Sequence, residues 1–461
     1  MNRWLVGAAI AGFCFIQSMS GQTVTAVSAG MHHTLFIESD GSLWGMGRND
    51  SGQLGDGTTT NRLVPVMIVP SNVVAVAAGN SHSLFLTADG NLWAMGANGN
   101  GRLGDGTTMD QHSPEQITFT HGVTAIAAGG AHSLFLKTNA LWGMGANGEG
   151  QLGNGTSADV HSPVQLIASG VYRISAGLQH SLYETTDGSL WAMGYNFFGA
   201  LGNGDTSGAN QYTPVEVVAN HSVFSGVAAI SAGQLHSLYL FFSPGAIVSL
   251  WGMGDNLTGD LGDGSGTTRY SPVEVMSSGE SAIAAGFGFS LLVKSDGSLW
   301  GTGTDLNGQL GDGNSGQFAG SYSFEEIVPS GVTAVAARGA HSLFIKADGS
   351  LWGMGYNAYG QLGIGSTNDS SIPVRIIPPL RFAVTNISVS TVTNVRFQGV
   401  NDFAGGFTHV IASTDLTVPV SQWTPVWTNS LKSGAFSFTA TNAAPADLPQ
   451  RFFRLKLFQI D

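Results

Sequence analysis

The sequence predicts an all-β protein: a seven-bladed β-propeller followed by a small C-terminal β-sandwich. Three observations carry this reading: a tryptophan that recurs at a fixed period, four short strand-like runs within each period, and an excess of glycine. Trp44, Trp93, Trp142, Trp191, Trp251, Trp300 and Trp352 each lie in a Leu-Trp-Gly/Ala-Met/Thr-Gly string, at spacings of 49, 49, 49, 60, 49 and 52 residues. Self-similarity at such a period marks a propeller or a solenoid. Glycine supplies 66 of 461 residues, about twice the usual ~7%, while charged residues supply only 10%. That balance suits short strands joined by tight turns.

The unit around Trp191 displays the four runs: Pro163–Ile167, Val171–Ser175, His180–Glu184 and Ser189–Met193. Between the third and fourth lies Asp187-Gly188, an Asp-Gly hairpin turn. After the tryptophan comes a long glycine-studded loop, residues 195–202 in this unit. Recurrent Ala-Ala-Gly, as at Ala77–Gly79 and Ala127–Gly129, permits close backbone approach where blades crowd the axis.

The chain ends suggest how the ring closes. The N-terminal unit starts with runs two to four (Val24–Ser28, Thr34–Ile37, Ser42–Met46), and a spare first run, Pro373–Ile377, follows the last tryptophan. Pairing that run with the N-terminal blade is the expected closure, because it leaves no open sheet edge.

These residues are familiar. Ala128-Gly129-Gly130-Ala131-His132-Ser133-Leu134, then Leu141-Trp142-Gly143-Met144-Gly145, then the Asn147–Gly155 loop with Gln151-Leu152-Gly153, resemble the repeat of the regulator-of-chromosome-condensation family. The resemblance runs seven times over residues 24–377 and implies the seven-bladed fold, here of a bacterial secreted type. The family includes nuclear guanine-nucleotide exchange factors and a secreted bacterial propeller that inhibits β-lactamase, so the resemblance alone implies no single activity.

Residues 1–21 read as a secretory signal peptide: Met1-Asn2-Arg3 is a short positive start, Trp4–Ile16 is apolar, and Ser18, Ser20 and Gly21 are small. The only cysteine, Cys14, lies within it, so the mature chain has no disulfide to rely on. The propeller is assigned to 22–378 and the sandwich to 380–461. In the latter, Arg381–Val389, Asn394–Val400, Phe407–Ser413, Trp423–Thr428, Ala435–Thr441 and Arg451–Leu457 alternate apolar with polar residues. Localisation is therefore expected to be secreted or periplasmic, with no membrane span. Net charge is −13, and before Arg381 ten basic residues (Arg3 aside) face twenty-six acidic ones. Nucleic acid needs a positive footprint, so none is expected as a partner.

Candidate chemistry is sparse. His33, His82, His132, His180, His236 and His341 recur once per unit, with Phe289 in the sixth place. Such spacing spreads histidines round a ring instead of gathering them on one ion, and a packing role is expected. Asp56, Asp105, Asp263 and Asp312, with Asn154 and Asn203, precede glycines and read as turn residues. Glu325 and Glu326 are adjacent on a strand, hence on opposite faces. No nucleophile elbow, phosphate loop or zinc-protease motif occurs. The expectation is a monomer without catalytic residues, cofactor or metal.

A binding surface is the positive expectation. Strand connections alternate between the two faces of a propeller, so the Ala-Gly-x-x-His tip and the long loop share one face. At tip positions units four to seven carry Phe197, Phe198, Leu235, Leu257, Phe287, Leu306 and Tyr359, where units one to three carry Asp50-Ser51, Gly99-Asn100 and Gly148-Glu149. A contiguous exposed apolar patch marks a binding site for a protein or surface partner. Exchange activity of the nuclear kind and carbohydrate or cell-surface attachment through the C-terminal module are the alternatives. The 60-residue spacing adds insertions at Asn220–Ser225 and Phe242–Ile247, expected to protrude from the opposite face.

Overall fold

The computed structural model describes residues 23–376, apart from 119–120, 220–224, 244–246 and 317–318, together with six strands between 383 and 459. The predicted signal peptide and most of the 220–225 insertion lie outside the described residues. All regular elements among the described residues are strands, so no helix there is long and apolar enough to cross a membrane.

Residues 22–378 form one compact unit of seven four-stranded antiparallel sheets. Blade 1 comprises Val24–Ala29, His33–Glu38, Leu43–Gly47 and Arg62–Val69. Blades 2 to 7 repeat this arrangement and start at Val73, Val123, Val171, Gly226, Glu280 and Val332. First strands pack on the first strands of both neighbours, blade 7 against blade 1 included, and so line the axis. The sequence explains the elements locally. Residues of the second strand are almost wholly buried, because both of its faces meet neighbouring sheets, and it reads as an unbroken apolar run. Its aromatic residue lies opposite the repeat's tryptophan, giving stacked cross-strand pairs such as Phe36–Trp44, Phe85–Trp93 and Phe344–Trp352.

The expected closure is not what forms. The last strand, Ser370–Ile376, pairs with Leu351–Gly355 of its own blade, and Arg62–Val69 completes blade 1. Each blade therefore contains the run that follows its tryptophan, not the run that precedes it, and no strand is exchanged. The physical reason is that the seam between blades 7 and 1 is built like every other. Val24, Ala29, Phe36, Trp44 and Met46 pack on Leu343, Ile345, Leu351 and Ile376. Val24 N–H donates to Gly349 O at 2.9 Å, as Val73 N–H does to Gly41 O at 2.9 Å one seam on. Blade 1 is already complete with Arg62–Val69 outside Leu43–Gly47, so the seam needs no strand from the C-terminal end.

The six further strands are Ala383–Thr391, Asn394–Asn401, Gly406–Ser413, Thr424–Ser430, Gly434–Ala440 and Phe452–Gln459, close to the six predicted. They form two three-stranded antiparallel sheets.

Candidate functional site

The face carrying both the Ala-Gly-x-x-His tips and the long loops follows from strand order, since connections 1–2 and 3–4 of a meandering sheet leave from the same end. Backbone bonds join the two on each blade: Arg48 N–H donates to His32 O at 2.8 Å and Tyr195 N–H to Gln179 O at 2.9 Å. Within the long loop an asparagine pins the backbone. Asn49 Oδ1 accepts Leu54 N–H, and its Nδ2 donates to Asp56 and to Thr58 O. Asn98, Asn147, Asn196 and Asn256 keep the first of these bonds and the bond to the residue at the Asp56 position. Asp56, Asp105, Asn154 and Asp263 each accept the N–H two residues on. They act as turn residues.

Beneath the tips lies a belt of histidines. His33 Nε2 meets Ser83 Oγ of the next blade at 2.9 Å, and that hydroxyl donates to Gln53 O at 2.7 Å. The hydroxyl's proton being spent on the carbonyl, the histidine must be the donor, which assigns the Nε2–H tautomer. The pattern recurs for His82–Ser133, His132–Ser181, His180–Ser237 and His236–Ser290, and for His341 on Thr34 of blade 1. All six rings are fully buried. Burial depresses their basicity, to about 3 for His33, His132, His236 and His341 and to about 4 for His180. They are neutral inter-blade latches. Among the described residues no three His, Cys, Asp or Glu side chains gather as a metal site. The seam between blades 5 and 6 holds a decoy: Ser290 of blade 6 and His236 and Asp260 of blade 5 stand in the order of a catalytic triad. The His236 Nδ1 to Asp260 Oδ2 distance is 3.9 Å, beyond a hydrogen bond, and all three side chains are sealed from solvent.

The axis is closed at this face by a residue that sequence reasoning missed. Six units place glycine three residues before the histidine position, because a Cβ there would strike the ring and the next blade's carbonyl. At Gly79 it would lie 2.3 Å from His82 and 2.6 Å from Gly129 O. The seventh unit has Arg338 instead. Its guanidinium crosses the axis and donates to Ala128 O (2.9 Å), Ala176 O (3.2 Å), Gly177 O (3.4 Å) and Asn80 Oδ1 (3.3 Å) of blades 2 to 4. Burial lowers its pKa to about 10, so it keeps its charge. The cavity left beside it, between Met31, Leu178, Gln234 and Phe287, is about 20 Å³, room for about one water. The break in an otherwise invariant glycine column was the available signal.

The seven predicted partner-binding residues divide. Phe197 (58% exposed), Leu257 (58%), Leu306 (54%) and Phe287 (41%) stand out into solvent, and Phe198, Leu235 and Tyr359 are half-buried. Phe197, Leu257 and Leu306 hold the same loop position on adjacent blades 4, 5 and 6, which brings them along one arc. Phe198 lies edge-on to Phe197 at 5.0 Å. Tyr359 turns away across the closing seam, its ring 5.1 Å from His32 with Arg48 above it. Sequence reasoning also missed Tyr322, half-exposed on the outer strand of blade 6, whose hydroxyl reaches Leu257 O at 3.5 Å. Asp205, Asp255 and Asp312 lie in the long loops of the same three blades.

Comparison with known proteins accords with the geometry. A sequence model of the regulator of chromosome condensation (RCC1) repeat matches residues 40–86, 89–136, 139–183, 187–240 and 348–395. A second model of the same repeat matches 24–53, 73–102, 171–200 and 332–361. The ultraviolet-B receptor UVR8 of Arabidopsis thaliana is 28% identical over 142 residues, 30% of this chain and 32% of the receptor, so the match spans about a third of its length. The crystal structure of human WBSCR16 superimposes with a TM-score of 0.64 at 21% identity, covering 75% of this chain and 95% of the other. Prp20p of Saccharomyces cerevisiae, described with its binding to Gsp1p and histones, gives a TM-score of 0.46 at 20% identity, over 79% and 80% of the two chains.

Proposed function

Because the chain belongs to the RCC1-repeat family, whose propeller is a rigid ring presenting variable loops, we propose that it is an exported, non-catalytic binding protein that holds a protein partner on the loop face of blades 4 to 6. The carrying observation is the arc of Phe197, Leu257 and Leu306, three large apolar side chains more than half exposed at one loop position of three adjacent blades. Blade packing uses the Trp, Leu and Ala positions of the repeat and leaves these side chains no structural task. Interface cores favour such anchors, and truncating a true one costs ~2 kcal/mol or more of binding. The aspartates of these loops favour a partner whose rim is basic. Export is supported by the positive start and apolar run of residues 1–21. The fit is to a protein and not to nucleic acid, which the acidic ring would repel.

Site-specific photo-crosslinking in the producing cell tests the reading. A photoreactive residue at Leu257 or Leu306 should yield one discrete protein adduct, while the same residue at Asp89 or Asp187, in hairpin turns of the opposite face, should yield none. Adducts equally strong from both faces would contradict it.

A further inference from the structure

The two leucine-bearing loops of the arc differ from the others in what pins them from below. In blade 6 the pinning asparagine is replaced by Asp305. Its Oδ1 still accepts Leu310 N–H at 2.8 Å, as the asparagines do. Its Oδ2 occupies the place of the amide nitrogen, is fully buried and has no donor. The group it faces is the carboxyl of Asp312, the counterpart of Asp56, which in blade 1 accepts from that amide nitrogen. A niche formed for an N–H donor thus holds two carboxyls, and a proton on Asp305 Oδ2 restores the missing donor. Asp312's own oxygens accept from Asn314 N–H and Nδ2, so no other donor for Asp305 comes from that side. From the next blade Asp369 reaches this loop, accepting from Asn307 Nδ2 at 3.0 Å. No cation among these groups offsets the pair.

Blade 5 carries a related replacement. Where Gln53, Gln151, Gln309 and Gln361 accept a loop N–H two residues back, Asp260 stands, 3% exposed. It accepts from the Thr258 hydroxyl, has His236 Nδ1 at 3.9 Å and Asp255 as the charged neighbour, and its backbone carbonyl takes the Ser290 hydroxyl. His236 is neutral, so it supplies no compensating charge.

We propose that Asp305, facing Asp312, and Asp260 form a proton-operated catch that fastens the loops carrying Leu306 and Leu257 when Asp305 and Asp260 are protonated and loosens them when they ionise. Burial, and for Asp305 the facing Asp312, push the carboxyls of Asp260 and Asp305 up to about 7, which places the transition near neutrality. The sign follows from linkage. A carboxyl whose folded pKa lies above its unfolded value binds more protons when folded, so its burial becomes more costly from about pH 4 up to about 7 and no more so above that. The consequence for partner binding, firmer below neutrality, rests on the loop-face reading above. The catch itself does not.

The test is therefore made on the full chain without any partner. Asp305→Asn restores the amide used by the other six blades. Its melting temperature should exceed the parent's by a margin that grows by at least ~3 °C between pH 5 and pH 7 and then stays level to pH 9. Amide exchange of residues 306–316, corrected for intrinsic rate, should rise across pH 7 in the parent and stay flat in the variant. Asp260→Gln should do the same for residues 255–262. A margin independent of pH, or unchanged exchange in the parent, would overturn the catch. So would a calcium-induced rise in the parent's melting temperature at pH 8 that Asp305→Asn abolishes, since the pair would then hold a metal ion and not a proton. If the catch holds while the arc fails to cross-link any protein, only the binding reading falls.

Discussion

At the first variable position of the long loop, blades 1 to 3 carry Asp50, Gly99 and Gly148, and blades 4 to 6 carry Phe197, Leu257 and Leu306. Beneath that position the two halves have the same strands, the same stacked aromatic–tryptophan pairs save for Leu292 in blade 6, and the same asparagine or aspartate pin. Two near-identical halves with different rims show which residues the fold requires and which it leaves free. The framework tolerates glycine, acid or phenylalanine at the rim because the position faces solvent: a Cβ added at Gly99 or Gly148 would meet nothing within 4 Å, and Phe197, Leu257 and Leu306 are more than half exposed. The apolar half is therefore a property of the surface, and one half can serve as the control for the other.

The largest effect should come from acid, and it sharpens a second asymmetry. Six buried histidines latch neighbouring blades, but between blades 6 and 7 Phe289 takes the histidine's place and Ser342 keeps only its bond to Gln309 O at 2.6 Å. The histidines' folded pKa values, about 3 for His33, His132, His236 and His341 and about 4 for His180, lie below the unfolded value, and burial holds His82 well below it too. The unfolded chain thus binds more protons below pH 6.5, and stability falls as pH drops. At pH 5 each latch should lose ~2 kcal/mol. Hydrogen exchange between pH 7 and 4.5 should show protection lost first at the histidine seams, with the Phe289 seam outlasting them. Uniform loss round the ring would break the comparison.

Arg338 comes next. Its removal takes the guanidinium from Ala128 O, Ala176 O and Asn80 Oδ1 at the axis, while Gly177 O keeps the bond from Gly130 N–H at 3.0 Å. Arg338→Ala should cost ~2–4 kcal/mol in denaturant unfolding, and Arg338→Lys should recover little, since a lysine cannot fan donors to four acceptors. Full stability in the alanine variant would show that the guanidinium bonds contribute nothing net.

How far the sequence could be read depends on which residues repeat. The tryptophan period, the hairpin turns and the histidine belt were legible because each is stated seven or six times. The blade count, strand positions and shared loop face follow from them. The phase of the repeat was not legible: a periodic string does not mark where one blade stops, so Pro373–Ile377 was assigned to the wrong partner, and hydrogen bonding to Leu351–Gly355 decides it. Arg338, Asp260 and Asp305 escaped notice because each is a single departure inside a column. What each replaces becomes visible only when carbonyls and amides are placed in space. The exposed arc was half legible. Tip positions were found, yet whether a tip side chain points outward, as Leu306 does, or folds onto a neighbour, as Tyr359 does onto His32, depends on the adjacent blade.

The smallest expected effect on stability is at the rim itself. Replacing Phe197, Leu257 and Leu306 together by Asp, Gly and Gly, the residues of blades 1 to 3, should shift unfolding free energy by no more than ~1 kcal/mol, because no buried contact is lost.

The same triple variant gives the most direct test of the central claim, that the rim of blades 4 to 6 is the binding surface. The partner captured by cross-linking at Leu257 would be purified and titrated against parent and variant by calorimetry at pH 6.5. A variant that melts with the parent but binds ~1000-fold more weakly, the loss of two anchors at ~2 kcal/mol each with ~1.4 kcal/mol per tenfold, is the predicted result. Binding unchanged within about threefold, with folding intact, would contradict it.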